Sequence, residues 1–559
     1  MTGRLGIRMS ARTTLIVAAV LQVWSTALCS APLADNTAQP GFPPGTSPGE
    51  AIYRYGILPN GKPLTGERNS GVPVEGASAA CTNCHRRSGL GAAEGRGFIP
   101  PITGQFLFHP RGAGVDDSDL PYVEGARISR DPYTEETLAR AIRTGIAVDG
   151  KALSVLMPHY LLDDPSMAAL SEYLHNLSKT QVPGVTETVL HFATVITPDA
   201  DPLQRKAMLS VLNDYFDEKN AAARAISPRM HSYHKMMFRA TRQWRLHVWQ
   251  LNGPPGTWTE QLQRHLAAEP VFAILSGLGG KNWAVVHHFC EQAEVPCLFP
   301  NVELPVVADK DFYSLYFSKG VLLEADLIAH EVGAPGSEPP VQRVVQVYRD
   351  NDIGVAAAKE LMHAAARAGL KWVNHPIHGN ASRAELKAAV ESAHTGDALV
   401  LWLRPRDMEP LGEHPTAGKV WVSGLMSGLE NAPLPSAWRK TTHMTYPVDL
   451  PDKRRIRVDY PLGWFRIRNV PILDLHLQAD TYLACGLLSE TLNHMVDTFV
   501  RDYLVERIEN MLEHRIITGY YPRLTLAPGQ RFASKGGYIV HFVGPSGTRI
   551  AADSEWIVP

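Results

Sequence analysis

The clearest chemical signal in the sequence is the run "CTNCH", which places Cys81 and Cys84 three residues apart and His85 directly after them. In an exported protein such a run has three interpretations: a structural disulfide, a redox dithiol, or the covalent attachment site of haem c. The spacing suits haem, because the two thiols reach two vinyl groups on one porphyrin edge and the adjacent imidazole faces the iron. The preceding stretch "GVPVEGASAA" is typical of a loop, whereas a redox dithiol follows a strand. We therefore predict one haem c, bound through Cys81 and Cys84, with His85 as an axial ligand.

A second axial ligand is expected downstream, where "LSVLMPHYLLDDPSMAALSEYL" places Met157 in an extended stretch before a terminal helix. The proline that follows Met157 disfavours helix at that position, which suits a thioether that reaches a metal from a loop. His109 and His159 are the rival ligands and would give a bis-His site. Met167 falls inside the terminal helix at core spacing, so ordinary packing is its expected role. Met157 is the predicted second ligand.

The N-terminus indicates export. Three arginines precede the apolar run "TTLIVAAVLQVWSTAL", and small residues follow it. This pattern predicts a secretory signal peptide over residues 1–30, cleaved between Ala27 and Ala34, followed by a flexible leader over residues 31–47. The alternative is an uncleaved membrane anchor. We expect a periplasmic protein, with no membrane span once the signal is removed.

Composition limits the classes of function. The chain has 559 residues, of which 45% are hydrophobic and 20% charged, and its formal net charge is −2. These values describe a soluble globular protein of several domains. Without a basic bias or a long basic run, the chain has no electrostatic footprint for nucleic acid, which we do not expect as a partner.

Residues 48–178 resemble a class I cytochrome c domain. The matching pieces are "GEAIYRYG" as the first helix, "CTNCH", "ARAIRTG" as the penultimate helix, "MP" as the distal loop and "MAALSEYL" as the last helix. The resemblance implies an all-α domain with one six-coordinate His/Met haem that transfers electrons. The insertion "ILPNGKPLTGERNSGVPVEGAS" departs from the family pattern and is expected to cover a haem edge or dock a partner.

From residue 188 onward, strand-like and helix-like stretches alternate, as in "TVLHFATVI", "PLQRKAMLSVLNDYFDEKNAA" and "RLHVWQL". Such alternation predicts parallel sheets, and the number of strands predicts two α/β lobes. The C-terminal residues 516–559 alternate apolar residues with glycine turns and are expected to form a small β-rich appendage.

Residues 188–515 resemble a type 1 periplasmic binding protein of the branched-chain amino-acid-binding kind. The stretch "VFAILSGLGGKNWAVVHHFCEQAEVPCLFPN" is similar to the part of that family that opens the ligand cleft, and "VVQVYRDNDIGVAAAKELMHAAARAGL" to the start of its second lobe. The resemblance implies that Ser276 and Gly277 lie on a ligand-holding turn and Asn301 at the next cleft turn. Amino-acid binders tend to have Tyr where this chain has Ile353, which argues against an amino-acid ligand.

Cys290 and Cys297 lie seven residues apart, and in an oxidising compartment we predict a disulfide between them, with two buried thiols as the alternative. Cys485 falls in an apolar helix and is expected to be a core residue.

The sequence thus predicts a multidomain protein: a cytochrome c domain, a two-lobed binding-protein-like module and a β-rich tail. The expected function is single-electron transfer to a periplasmic redox partner, with the larger module sensing a small-molecule ligand or docking a partner. The alternative is a solute-binding or redox-sensing protein in which the haem is regulatory. No arrangement of residues typical of a catalyst stands out, so we do not expect an enzyme.

Overall fold

The computed structural model describes residues 45–68, 71–94, 97–109, 130–179, 181–225, 242–308, 310–332, 341, 343–456, 459–495, 498–514, 519–544 and 549–559. The predicted signal peptide and residues 31–44 of the predicted leader lie outside these ranges. None of the helices described is both long and apolar enough to cross a lipid bilayer. The chain divides into two units, one formed by residues up to 81 with 138–147 and 151–173, the other by residues 82–137, 148–150 and 174–559.

The described part of residues 48–178 contains short helices and five short strands. The helices are α1 (Pro48–Glu50, continued by a π-helical turn, Ala51–Tyr55), α2 (Thr82–His85), α3 (Gly104–Leu107), α4 (Glu135–Thr144) and α5 (Asp164–Asn176). The strands are β1 (Thr65–Glu67), β2 (Pro73–Glu75), β3 (Ala92–Glu94), β4 (Gly97–Ile99) and β5 (His159–Tyr160). The terminal helices predicted from the sequence are therefore present.

This segment is not all-α, contrary to the expectation from its resemblance. The insertion after α1 forms β1 and β2, which join β5 in an antiparallel sheet of order β2-β1-β5. The insertion is rich in glycine and proline, and both residues disfavour helix. Gly71, with φ of 77°, adopts the left-handed conformation between the two strands, which only glycine takes up readily.

Within the first unit, α1 crosses α5 at a very short distance. A Cβ atom on Gly49 would lie 2.1 Å from the carbonyl oxygen of Ala169 and 2.6 Å from the Cβ atom of Tyr173. One turn further, the rings of Tyr53 and Tyr173 are 5.3 Å apart. Gly49 thus allows the two helix backbones to touch.

The first α/β lobe contains a parallel five-stranded sheet of order β10-β9-β8-β6-β7. Its strands are β6 (Val189–Ile196), β7 (Gln243–Gln250), β8 (Ala273–Leu275), β9 (Cys297–Leu298) and β10 (Ser314–Leu315), and its first helices are α6 (Pro202–Ala225), α7 (Trp258–Ala268) and α8 (Ala284–Gln292). Most residues of β6 and all of β8 are buried, as expected of strands with helices on both faces.

The second lobe is built on a seven-stranded sheet of order β12-β11-β13-β14-β15-β16-β17. The strands are β11 (Arg343–Arg349), β12 (Lys371–Ile377), β13 (Asp397–Trp402), β14 (Lys419–Val422), β15 (Thr442–Tyr446), β16 (Tyr538–Val543) and β17 (Arg549–Ala552). The helices between β10 and β15 are α9 (Val321–Val332), α10 (Gly354–Ala364), α11 (Arg383–Glu391), α12 (Pro405–Met408), α13 (Gly424–Ser427) and α14 (Ser436–Arg439). The strands and helices predicted by alternation are confirmed.

Between β15 and β16 the described residues form four further helices: α15 (Pro451–Ile456), α16 (Tyr460–Arg468), α17 (Leu475–Met495) and α18 (Arg501–His514). The last two return to the first lobe, where α17 packs on α6 and Phe499 packs on Phe272. The chain then crosses back to the second lobe, so each lobe is assembled from separate stretches of sequence.

The C-terminal β segment is present, but it is not a separate appendage. Strand β16 pairs antiparallel with β15, placing His541 opposite His443, and β17 pairs with β16. The run "YIVHFV" is largely buried, so its backbone groups need partners away from water, and the edge of β15 supplies them.

Candidate functional site

The cysteine–histidine motif lies at the start of helix α2, with Cys81 directly before it and Cys84 and His85 on its single turn. His85 is 8% exposed, and its Nδ1–H group donates to the carbonyl oxygen of Pro100 over 3.0 Å. Because that carbonyl can only accept, the proton lies on Nδ1 and the lone pair of Nε2 is left to bind a metal. Burial lowers the pKa of His85, against the smaller opposing effect of the Pro100 carbonyl, so the ring is neutral.

Met157 lies in a turn in which its N–H donates to the carbonyl oxygen of Ser154 over 3.0 Å. The preceding Val155 and Leu156 are 65% and 68% exposed, which gives this loop an apolar surface. Of the rival ligands, His109 is exposed, while the ring of His159 packs against the backbone of Gly145. Cys81 and Met157 belong to one unit, and Cys84 and His85 to the other. That these four residues hold one haem stays a prediction.

Residues 86–88, directly after the motif, dock onto acidic residues of helix α18. Arg86 pairs with Glu509 over 2.7 Å. The backbone N–H and the hydroxyl of Ser88 donate to the carboxyl of Glu506 over 2.9 and 2.5 Å. Burial raises the pKa of Glu506 to about 8, against the opposing effect of Arg86. This cluster was not predicted from the sequence, although the regular spacing of acidic residues along α18 was a usable signal.

The three residues predicted to hold a ligand lie on the turns after β8 and β9. Ser276 is fully buried, and its hydroxyl donates to the Thr481 hydroxyl of α17 over 3.2 Å and accepts from the Asn301 amide over 2.9 Å. Gly277 lies under Trp283, where a Cβ atom would come within 2.4 Å of the indole ring. In the conformation described, these residues connect the turns to neighbouring helices, and their role in ligand binding stays a prediction.

The first lobe has its topological switch point between β6 and β8, the place where α/β sheets bind ligands. Here the Asp199 carboxylate accepts from the Thr197 hydroxyl over 2.6 Å and from the N–H of Lys281 over 2.8 Å. Partial burial favours a higher pKa for Asp199, but these hydrogen bonds outweigh it and lower the pKa. At the end of the glycine-rich turn that follows β8, the N–H group of Lys281 is therefore already used by a carboxylate of the chain itself.

The second lobe has its switch point between β11 and β13, where two reciprocal ion pairs join the strand ends. Arg349 of β11 binds Asp407 over 2.7 Å, and Arg404, just after β13, binds Asp352 over 2.9 Å. Burial alone would lower the pKa of Arg404, but its carboxylate partners outweigh burial and raise it. None of these four residues was singled out from the sequence, although charged residues directly after parallel strands were the signal that could have found them.

The two switch points face each other. Arg404 also binds Glu303, which follows β9 of the first lobe, over 2.7 Å. The ammonium group of Lys281 in the first lobe donates to the carbonyl oxygen of Asn351 in the second. These two contacts close the junction between the lobes and place Arg404 between one carboxylate from each lobe.

The predicted disulfide between Cys290 and Cys297 is wrong: both residues are free thiols. Each is fully buried in the core between α8 and the first sheet, and their side chains are hydrogen-bonded. Burial raises the pKa of the Cys290 thiol, which disfavours the thiolate needed for disulfide exchange. Cys485 is fully buried in α17, as predicted.

One group of side chains in the described chain has donor atoms close enough to hold a metal ion: His287, Glu291 and Asp311. The Glu291 carboxylate already accepts from the backbone N–H groups of residues 312–314. His287 binds Asp311 over 2.7 Å and the Tyr316 hydroxyl over 2.8 Å. These polar groups satisfy one another without an ion.

No protein-family model and no curated protein matches the chain. Among solved structures, it is similar to a fatty acid ABC transporter substrate-binding protein from Thermomonospora curvata, with a TM-score of 0.51 and 15% identity over 68% of this chain and 95% of that one. A branched-chain amino acid ABC transporter protein from Thermus thermophilus with bound valine gives a TM-score of 0.49 and 12% identity over 67% and 97%. A solute-binding protein from Rhodopseudomonas palustris BisB5, in complex with 3,4-dihydroxy benzoic acid, gives 0.47 and 12% over 66% and 97%.

At 15% identity the first similarity shows the fold, a two-lobed α/β arrangement of the periplasmic-binding-protein type. The comparisons do not test the resemblance of residues 48–178 to cytochromes c, which stays a prediction.

Proposed function

We propose that the α/β module binds a small anionic solute at the junction of its two lobes. The observation that carries this proposal is the pair of facing switch points, joined through Arg404 and Glu303 and through Lys281 and Asn351. In α/β proteins, ligands bind outside the carboxyl ends of the strands at such points.

Arg404 is the group best placed to recognise the solute. On the first lobe the backbone N–H group of Lys281 is already used by Asp199, so an incoming anion needs another donor. The side chain of Arg404 is 27% exposed and contacts both lobes. A ligand carboxylate would replace Glu303 on the guanidinium, and Asp352 would keep the guanidinium oriented. The ligand would thus compete with the chain's own ion pair between Arg404 and Glu303.

We expect a solute of this class to raise the melting temperature of the mature full-length protein in a thermal-shift screen of fatty acids, amino acids and aromatic carboxylates. At a concentration one hundred times Kd, mass action stabilises the folded state by about 2.7 kcal/mol. Arg404→Gln should abolish the shift. The matched control is Arg343→Gln, which removes an arginine paired with Asp397 at the opposite end of the same strands and should keep the shift.

A screen without any shift would overturn the solute-binding proposal and favour a module that docks a partner protein. A shift that survives Arg404→Gln would place the solute elsewhere and overturn the role of Arg404.

As a second function, we propose that residues 48–178 carry one covalent haem c and exchange single electrons with a periplasmic partner protein. The observation that favours it is the buried His85, whose Nδ1–H group is held by the Pro100 carbonyl so that Nε2 can bind iron. Cys81 and Cys84 would hold the porphyrin, and Met157 would be the second axial ligand. A bound haem supplies reversible one-electron chemistry at the iron, with a potential set by its axial ligands. The predicted signal peptide places this chemistry outside the cytoplasm.

We expect acid and organic-solvent extraction to leave haem on the wild-type polypeptide, because thioether bonds survive it. The double variant Cys81→Ser/Cys84→Ser should lose the haem completely, while each single variant should keep one thioether. Haem that leaves the wild-type chain, or its absence, would overturn the proposal.

Met157→Ala should keep the haem attached but admit added cyanide or imidazole. A bis-His near-infrared magnetic circular dichroism spectrum of the wild type would move the second ligand to His109 or His159.

A further inference from the structure

A pocket of about 260 Å³ opens in the second lobe, and Arg404 is not among its lining residues. It lies beyond the carboxyl ends of β11 and β12, between the first turn of α11 and helix α12. Its polar lining consists of Arg349, Arg383, Arg406 and Asp407, and Ala381 and Leu386 contribute apolar surface. Its volume is just below the range of roughly 300–1,000 Å³ typical of ligand pockets, so it suits a small metabolite.

The charge of this lining is unbalanced. Arg349 is used internally, since its guanidinium donates to Asp407 over 2.7 Å and to the carbonyl oxygen of His378 over 2.6 Å. Arg383 and Arg406 are exposed, and within the described part of the chain neither guanidinium group forms an ion pair or a hydrogen bond. Three arginines and one aspartate therefore leave an excess of two positive charges, which matches a dianion.

The lining also contains an acceptor without a donor. The side chain of Asp407 is 6% exposed. Its Oδ1 atom accepts from Arg349, but its Oδ2 atom is buried and has no hydrogen-bond partner among the residues described. Because buried polar atoms are nearly always paired, a ligand in the pocket is expected to bring a donor to this oxygen.

We propose that this pocket binds a small hydroxylated dianion, such as a hydroxydicarboxylate. Its negative groups bind Arg383 and Arg406, and its hydroxyl donates to Oδ2 of Asp407. Arg404 and Glu303, which carry the solute site proposed at the lobe junction, do not line this pocket, and the proposal does not depend on the function proposed there. Leu386 and Ala381 limit the carbon skeleton to a few atoms.

The test uses L-malate and succinate, which differ only in one hydroxyl group, in calorimetric titrations of the mature full-length protein at low ionic strength. Since a hydrogen bond to a charged group contributes about 1.5–3 kcal/mol, malate should bind roughly tenfold or more tightly than succinate. Arg383→Gln/Arg406→Gln should abolish malate binding. These arginines are exposed, so the variant is expected to fold, which its unchanged melting temperature would verify.

One control separates this pocket from other arginines. Arg343→Gln should leave malate binding unchanged, because Arg343 does not line the pocket. Equal affinity for malate and succinate would overturn the role of Asp407, and malate binding that survives loss of Arg383 and Arg406 would overturn the site. The absence of malate binding at millimolar concentration would overturn the assignment of ligand class.

Discussion

Replacing Glu506 with alanine is expected to lower the free energy of unfolding by about 3 kcal/mol near pH 4, where the carboxyl is mostly protonated in both states, because two buried donors lose their acceptor. Those donors are the backbone N–H and the hydroxyl of Ser88, a residue with no exposed surface. Glu506→Gln should cost less than about 1 kcal/mol, since its amide keeps an acceptor for the N–H and offers a donor to the hydroxyl oxygen. Glu513→Ala, an exposed position on the same helix, is the matched control and should have almost no effect.

The same carboxyl should make stability depend on pH. Burial raises the pKa of folded Glu506 to about 8, whereas the unfolded chain has a pKa of about 4.3. Between these values the folded state holds a proton that the unfolded state has released. Stability should therefore fall as pH rises through this window, by at most about 1.4 kcal/mol per pH unit from this group. Arg86 and Asp502 face the carboxyl and oppose each other in setting its pKa.

Urea unfolding from pH 5 to pH 8, compared between wild type and Glu506→Gln, measures this contribution. In a plot of the free energy of unfolding against pH, the variant should lack the part of the slope that is due to Glu506. A variant with the wild-type slope would show that other carboxyls, such as Glu324, with a pKa raised to about 7 by burial, carry the dependence. A loss below 1 kcal/mol in Glu506→Ala would contradict the expected dependence of Ser88 on this carboxyl.

Gly49→Ala is the second substitution with a large expected effect, a loss of about 3 kcal/mol from the first unit. The added Cβ would lie 2.1 Å from the Ala169 carbonyl oxygen, a backbone atom of α5 that cannot move without the helix. The helices must separate, which weakens the packing of Tyr53 against Tyr173.

Gly486→Ala is the matched control, because Gly486 also lies in a helix but a Cβ there meets nothing within 4 Å. This substitution should raise stability by about 0.5–1 kcal/mol through helix propensity. Since the protein has two units, hydrogen exchange of the peptide around residues 46–56 is the measurement that isolates the first one. Unchanged protection there in Gly49→Ala would contradict the close crossing of α1 and α5.

Sequence reasoning succeeded where a signal is local. The run "TVLHFATVI", for example, is rich in apolar and β-branched residues, and the strand Val189–Ile196 lies there, mostly buried. The two-lobed fold followed from alternation along the chain. Cys485 was correctly predicted to be a core residue, because a thiol in an apolar helix is usually buried in the hydrophobic core.

Prediction from the sequence was less successful where strands or side chains that contact each other are distant in the chain. Neither the pairing of β16 with β15 nor that of β5 with β1 leaves a local signal, because each depends on which edge is free after the rest has folded. The disulfide was predicted from spacing, but spacing does not determine how a helix orients a thiol toward a strand. Arg404 shows the same limit: its importance comes from Glu303 and Asp352, which lie far from it in the chain.

The interleaving of the two lobes has a consequence for the order of events during synthesis. Helices α17 and α18, which complete the first lobe, are made after β15, and strands β16 and β17, which complete the second, are made last of all. Neither lobe can finish folding until nearly the whole chain has emerged, so the unpaired edge of β15 is open to wrong partners meanwhile. The Cys81–His85 segment emerges long before then. A protein shortened at its C-terminus would leave that edge uncovered permanently, and aggregation through strand pairing is the expected fate.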